Sequence, residues 1–132
     1  MENLIKITLD KERARSLAKL ARLRYEKIKT FDEEKDSSLI AEGYYEVSKE
    51  LMTAILFIDG YKTLSHKDLI EYLGINFKDH FSYSDISLFD QLRKLRNSVV
   101  YYGVFVEPSY VKRNKAHISQ LISKLFKICE KI

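Results

Sequence analysis

Residues 84–103 read SDISLFDQLRKLRNSVVYYG, and apolar side chains recur in them every three to four residues. That period is typical of an amphipathic α-helix with one face in a core. The spacing predicts a helix that begins near Ser84 and ends at Gly103. Its predicted core face consists of Leu88, Leu92, Leu95, Val99 and Tyr102.

The flanking sequence contains three more long helical patterns. They predict helices over residues 10–30, 38–59 and 108–132, and Gly60 stands where the second helix should end. Residues 4–9 fit either an extended lead-in or the start of a helix. The predicted buried positions are Ala14, Leu17, Ala18, Ala21, Tyr25 and Ile28 in the first helix, Ile40, Tyr44, Val47, Leu51, Ile55 and Ile58 in the second, and Val111, Ile118, Leu121, Leu125, Ile128 and Ile132 in the last.

A short helix is predicted between the second and third long helices. Ser65 and Asp68 have the spacing of a capping box, and Leu64 and Leu69 stand at the two positions of a hydrophobic staple. The helix is predicted to end at Gly74. The aromatic residues 75–83 lack a helical period and are predicted to form a packed connector.

These elements predict an all-α fold: an antiparallel, up-and-down four-helix bundle with one extra short helix, as a single domain over residues 1–132. Only four glycines and one proline in 132 residues leave too few turns for an all-β fold. The longest apolar run, residues 54–58, is far too short to span a membrane. A single cysteine fits a reducing compartment, so we expect a cytoplasmic protein.

The net charge of +4 is unevenly distributed along the chain. Residues 1–29 sum to +5, residues 30–90 to −8 and residues 91–132 to +7. On the first helix, Lys11, Arg15, Lys19 and Arg22 form a continuous basic stripe. If the basic residues 1–29 and 91–132 pack side by side, they would make a positive surface opposite a negative one. Alternatively, each helix simply has a solvated face with charged side chains.

Several chemistries are disfavoured. The four glycines are isolated, so no phosphate-binding loop is present. His66, His80 and His117 lie far apart, and we expect neither a metal nor another cofactor. Cys129 falls on the predicted buried face of the last helix and is interpreted as a core thiol.

The third long helix carries the candidate site. Arg93, Asn97 and Tyr101 recur every four residues and form one polar row, with Arg96 beside it. Such a row can hold a phosphate or an RNA backbone through charge-assisted hydrogen bonds. Alternatively, Arg93 and Arg96 pair with the acidic second helix while the amide and the phenols cap a groove.

Residues 92–103 resemble the signature of the HEPN family (higher eukaryotes and prokaryotes nucleotide-binding). In that signature an Arg, often followed by Asn, precedes a His and then a Tyr on a late helix. Arg96 matches the Arg and Asn97 the next residue. Tyr101 or Val100 falls at the His position, and Tyr102 or Gly103 near the Tyr.

The resemblance covers roughly residues 10–130. It also includes the second helix and the first part of the short helix, through Tyr44, Tyr45, Glu46, Leu51, Ala54, Ile55, Asp59, Gly60, Tyr61, His66 and Leu69. It implies a four- or five-helix bundle, usually a homodimer, with the Arg motifs of the two subunits near a shared cleft. Many family members are metal-independent endoribonucleases, some are toxins countered by a nucleotidyltransferase partner, and others are inactive binding modules.

The chain departs from the family at the histidine that acts as general acid or base. No histidine lies between Arg96 and Tyr110, although His66, His80 or His117 could approach Arg96 in the fold or across a dimer. We therefore expect a HEPN-type protein that binds RNA, a nucleotide or a nucleotidyltransferase partner, with little or no nuclease activity. Nucleic-acid or nucleotide contacts are expected from Arg93, Arg96, Asn97, Tyr101 and Tyr102.

The first alternative is a metal-independent endoribonuclease toxin that uses Arg96 and Tyr101. A DNA-binding regulator is a weaker one, because no recognition helix follows the short helix closely enough for a helix-turn-helix. The last is an interaction module with solubilising basic ends.

Overall fold

The computed structural model describes residues 3–131, and within them it contains five α-helices and one two-stranded sheet, which confirms the all-α bundle. In chain order the elements are β1 (Ile5–Lys6), α1 (Lys11–Ile28), α2 (Ser37–Asp59), β2 (Tyr61–Lys62), α3 (His66–Asn76), α4 (Tyr83–Tyr102) and α5 (Pro108–Glu130).

The N-terminal segment is extended rather than helical. Ile5 pairs with Lys62 and Lys6 with Tyr61 in an antiparallel ladder. Gly60 makes this possible, because it ends α2 in the left-handed conformation, with φ of 85°, and its carbonyl accepts a 2.8 Å bond from the Ile7 amide. A Cβ at position 60 would lie 3.1 Å from the Ile7 carbonyl oxygen, so glycine also fits the close approach.

The centre of the bundle is α2, which packs against all four other helices. The Asp10 amide before α1 donates to Phe57 near the end of α2, and Ser37 at the start of α2 donates to Val106 just after α4. Both α1 and α4 are therefore antiparallel to α2.

Apolar as α2 is, neither it nor any other helix within residues 3–131 has the length and apolarity needed to cross a lipid bilayer.

Cys129 is buried in the core, as predicted. Its thiol lies 3.7 Å from the Leu51 carbonyl oxygen, and burial raises its pKa to about 12. A thiol with that pKa is almost entirely protonated at neutral pH and is a poor nucleophile. The predicted core position Ile132 lies outside the described residues.

The predicted hydrophobic staple at α3 is wrong, because Leu64 is 96% exposed while Leu69 is buried. The Ser65 hydroxyl does accept a bond from the Asp68 amide, but the Asp68 carboxylate accepts from the Asn3 amide instead of closing the box. The Asp68 carboxylate thus binds the N-terminal segment and does not cap its own helix.

The boundaries around the connector also differ from the prediction. Gly74 lies inside α3, which continues to Asn76, and α4 already begins at Tyr83. The helix start there has the complete capping box: the Ser82 hydroxyl accepts from the Asp85 amide, and the Asp85 carboxylate accepts from the Ser82 amide.

The predicted core face of α4 is correct only for its first half. Leu88 and Leu92 are buried, whereas Tyr102 is 81% exposed. The reason is where α5 begins: the Tyr110 hydroxyl bonds to Gln91, 2.7 Å away, so α5 starts beside the middle of α4. The last three turns of α4 extend past it, and Leu95 and Val99 in them are only partly buried.

Candidate functional site

Arg96 connects the exposed end of α4 to the central helix. Its Nε donates to Glu46 Oε1 over 2.8 Å, and the two side chains are only 15% and 14% exposed. Lys49 Nζ lies 2.7 Å from the other Glu46 oxygen. Burial alone would raise the pKa of Glu46, but Lys49 and Arg96 outweigh it and hold that pKa below its usual value. Glu46 therefore stays ionised and fixes the guanidinium.

The structure brings together three of the predicted site residues. Arg96 Nη1 lies 3.2 Å from Asn97 Oδ1 and 3.4 Å from the Tyr101 hydroxyl, and the guanidinium carbon is 5.7 Å from the centre of the Tyr101 ring. Arg96 Nη2 donates to no residue within 3–131. The guanidinium is thus held on two sides, and one of its NH2 groups has no hydrogen-bond partner within residues 3–131.

Arg93 and Tyr102 make no hydrogen bond with Arg96, Asn97 or Tyr101. Arg93 Nε donates to Asp90 Oδ1 over 2.9 Å, and Lys94 lies 3.3 Å from the other Asp90 oxygen. One interpretation of the sequence paired both Arg93 and Arg96 with the second helix. The structure shows that pairing for Arg96, which bonds Glu46 on α2, whereas Arg93 bonds Asp90 on its own helix. Lys49, Arg93, Lys94 and Arg96 thus share only two carboxylates, Glu46 and Asp90, and the local charge stays positive.

An exposed apolar surface adjoins Arg96, and we call it the α4 patch. Its aromatic members are the most exposed, with Tyr102 at 81% and Phe105 at 88%. The patch consists of Val100, Tyr101, Tyr102, Val104 and Phe105. Tyr101 belongs both to this surface and to the Arg96 cluster.

The α4 patch is held in place at both ends. Gly103 ends α4 in the left-handed conformation, with φ of 63°, and the Val104 amide bonds back to the Ser98 carbonyl. On the other side Val106 is buried and hydrogen-bonded to Ser37 and Ser38 at the start of α2. The aromatic side chains are therefore exposed on a well-connected segment.

His66 is the residue near this site that local sequence patterns missed. It begins α3, half-buried, and its ring centre lies 5.8 Å from that of Tyr45, the neighbour of Glu46. Burial lowers the pKa of His66, and the positive charges of Lys49 and Arg96 lower it further. A mainly neutral imidazole therefore lies within the electrostatic influence of Arg96.

The other two histidines have different surroundings. His80 lies against the rings of Phe77 and Phe81. His117 Nε2 lies 2.7 Å from Asp85 Oδ1, between α5 and the start of α4. Across residues 3–131 no three His, Cys, Asp or Glu side chains are grouped so that they could hold a metal ion.

Comparison of the chain with models of known protein families, with curated proteins and with solved structures finds no match.

Proposed function

We propose that this chain is a cytoplasmic HEPN-type protein that forms a homodimer and binds the phosphate groups of RNA or a nucleotide at Arg96, with little or no nuclease activity. The resemblance of Arg96 and Asn97 to the family motif supports the assignment. An all-α bundle with that motif near the end of a late helix is the arrangement that the resemblance implies.

The hydrogen-bonded position of Arg96 carries the proposal. Glu46, Asn97 and Tyr101 fix the guanidinium while Nη2 has no partner within residues 3–131. A guanidinium that is already oriented loses little side-chain entropy when it binds a phosphate oxygen. Its few water contacts also strengthen the interaction, because charges attract more strongly in a partly buried site.

The weak nuclease activity follows from the residue at the family's histidine position. Tyr101 or Val100 falls there; a phenol is a poor general base at neutral pH, and an alkyl side chain cannot act as one. Arg96 and Tyr101 can bind and orient a phosphodiester, but neither readily removes the proton of a ribose hydroxyl. The nucleotidyltransferase partner stays a prediction from the resemblance.

Substitution of Arg96 tests the binding site. We expect Arg96→Ala to weaken binding of a fluorescein-labelled single-stranded RNA by about 10- to 100-fold, since a hydrogen bond to a charged group contributes about 1.5–3 kcal/mol. Fluorescence anisotropy in EDTA measures the affinity, and circular dichroism checks the fold. The matched control is Arg13→Ala, which removes an exposed arginine that stacks on Phe57 instead. Equal binding by the wild type and Arg96→Ala would contradict the proposal.

The position of His66 favours a second candidate, the metal-independent endoribonuclease. In that reaction the imidazole takes the proton of the ribose 2′-hydroxyl, the oxygen attacks the adjacent phosphorus, and the bond to the 5′-oxygen breaks. The leaving 5′-oxygen takes a proton from water, to which the imidazolium returns its own, and the products are a 2′,3′-cyclic phosphate and a 5′-hydroxyl. Arg96 would stabilise the charge on the phosphorane oxygens.

Cleavage of RNA in EDTA distinguishes this candidate from binding alone. If it operates, His66→Asn lowers the cleavage rate at least about tenfold. His80→Asn, the matched control, leaves it unchanged. A base must be neutral, and the pKa of His66 is lowered. The rate is therefore expected to rise through the acidic range and level off before neutral pH. Absence of cleavage, or cleavage that survives His66→Asn, removes the candidate.

A further inference from the structure

The basic residues of this protein differ in whether they have acidic partners. The basic residues of α4 pair with Asp90 or Glu46, as described above. Most of those on α5 also have acidic partners: Lys112 bonds Glu34, Lys115 bonds Glu33, and Lys124 lies 3.9 Å from Asp85. In contrast, Lys11, Arg15 and Lys19 on α1 are exposed and make no hydrogen bond or ion pair with any residue from 3 to 131. One face of α1 therefore carries a row of three cations without acidic partners.

The row reaches α5 through Arg22, which does have an acidic neighbour. One turn after Lys19, the Arg22 guanidinium lies 3.8 Å from the centre of the Phe126 ring, and its Nη2 is 4.0 Å from Glu130. Lys127 follows Phe126 in the chain and is exposed. We call the combined surface the α1–α5 basic face; it consists of Lys11, Arg15, Lys19, Arg22 and Lys127, with the Glu130 carboxylate beside Arg22.

A shallow polar groove adjoins the basic face. It has a volume of about 550 Å³ and is lined by Ser119, Gln120, Ser123, Lys124 and Lys127. The Tyr25 hydroxyl lies 3.3 Å from that of Ser119 and connects the groove to α1. Hydroxyl, amide and ammonium groups are the side-chain donors that commonly contact phosphate and sugar oxygens.

The shape of the basic face favours a linear polyanion. Lys11, Arg15 and Lys19 recur every four residues, which spaces them about 6 Å apart in a straight row on a helix. The exposed leucines of α1, Leu20 and Leu23, line a groove against α2 instead. A helix that binds a lipid surface combines basic residues with apolar ones that enter the membrane. A nucleic-acid backbone offers regularly spaced phosphates and needs no such insertion.

We propose that the α1–α5 basic face is a second RNA-binding surface, which holds the phosphate backbone without regard to sequence and independently of Arg96. The choice of RNA over DNA rests on the proposed function. The two sites differ in kind: Arg96 is a single oriented donor beside an apolar patch, and the basic face is a row of mobile cations.

The triple variant Arg15→Ala, Lys19→Ala, Lys127→Ala tests the surface. A labelled single-stranded RNA is titrated at several KCl concentrations. Each lost phosphate contact reduces the slope of log affinity against log salt by about 0.7, so we expect a decrease of about 2 and an affinity about tenfold lower at low salt. The matched control is Lys35→Ala, Lys62→Ala, Lys78→Ala, which removes the same charge from exposed lysines elsewhere and is expected to leave the slope nearly unchanged.

The outcomes separate this inference from the proposed function. Loss of affinity in the face variant with normal binding by Arg96→Ala supports the basic face and contradicts the Arg96 site. A normal salt slope in the face variant overturns the inference, whatever Arg96→Ala does. Equal losses in the face and control variants also overturn it, because net charge alone would then explain binding. Binding to phosphatidylserine vesicles that the face variant loses, with RNA binding intact, would assign the face to membranes instead.

Discussion

The double variant Tyr102→Glu, Phe105→Glu is expected to be monomeric at concentrations where the wild type is a dimer. We expect the proposed homodimer to bury the α4 patch, because its two rings are 81% and 88% exposed in one chain, and both would then lie inside the interface. A buried carboxylate without a partner costs several kcal/mol. Two on each side of a symmetric interface should weaken dimerisation by more than about 100-fold.

Sedimentation equilibrium over a range of protein concentrations measures this effect. The matched control is Leu64→Glu, Ile75→Glu, which places the same charges at exposed apolar positions outside the patch. We expect the control to dimerise like the wild type. If the wild type itself is a monomer, the homodimer is wrong, and the patch becomes the surface to test against the nucleotidyltransferase partner that the resemblance predicts.

Dimerisation through the patch would also affect the Arg96 site. Tyr101 bonds Arg96 and is part of the patch, so a covered patch removes water from one side of the guanidinium. Electrostatic attraction to a phosphate increases as water is excluded. The monomeric variant is therefore a useful sample for the RNA titrations, since it keeps Arg96, Asn97 and Tyr101.

The behaviour of α4 shows how far its sequence pattern could predict the fold. The repeat of Leu88, Leu92 and Tyr102 places all three on one helix face, because periodicity depends only on the helix itself. Whether that face is covered depends on where the neighbouring helices begin and end. The point at which α5 starts, beside Gln91, is set by the path of the connection after Gly103, which no local pattern encodes.

Helix ends were predictable where the cap is local. Gly60 and Gly103 end their helices as expected, both in the left-handed conformation. Ser65 and Asp68 have the same spacing as Ser82 and Asp85, yet only the second pair closes. Two contacts make the difference: the Ser65 amide donates to the Thr63 hydroxyl, and the Asn3 amide, distant in the chain, donates to the Asp68 carboxylate.

The sequence predicted the part of the candidate site that lies on one helix and missed the part that comes from other helices. Arg96, Asn97 and Tyr101 lie on the same helix, so their spacing alone brings them together. Glu46, on α2, bonds Arg96, and His66, at the start of α3, lies against Tyr45 where the charge of Arg96 lowers its pKa. Both placements depend on how three helices pack. The sequence offered His66, His80 and His117 as histidines that could approach Arg96, and no local pattern chose among them.

The largest expected loss of stability is at Phe89, in the buried half of α4. Its side chain is fully buried, and its ring meets that of Phe81 edge to face with centres 5.8 Å apart. Phe89→Ala removes this contact and leaves a cavity that a close-packed core fills only partly. We expect the free energy of unfolding to fall by about 3–5 kcal/mol. Urea titration followed by circular dichroism measures the change.

Tyr83→Ala is the control that shows whether the loss of stability at Phe89 depends on burial. Tyr83 is an aromatic residue on the same helix, but it is 89% exposed, so its removal should cost less than about 0.5 kcal/mol. Because dimerisation adds to apparent stability, both substitutions are best measured in the Tyr102→Glu, Phe105→Glu background. Similar losses at positions 83 and 89 would show that the first half of α4 is not packed in the core. The contrast between its buried and exposed halves, on which the proposed interface depends, would then be wrong.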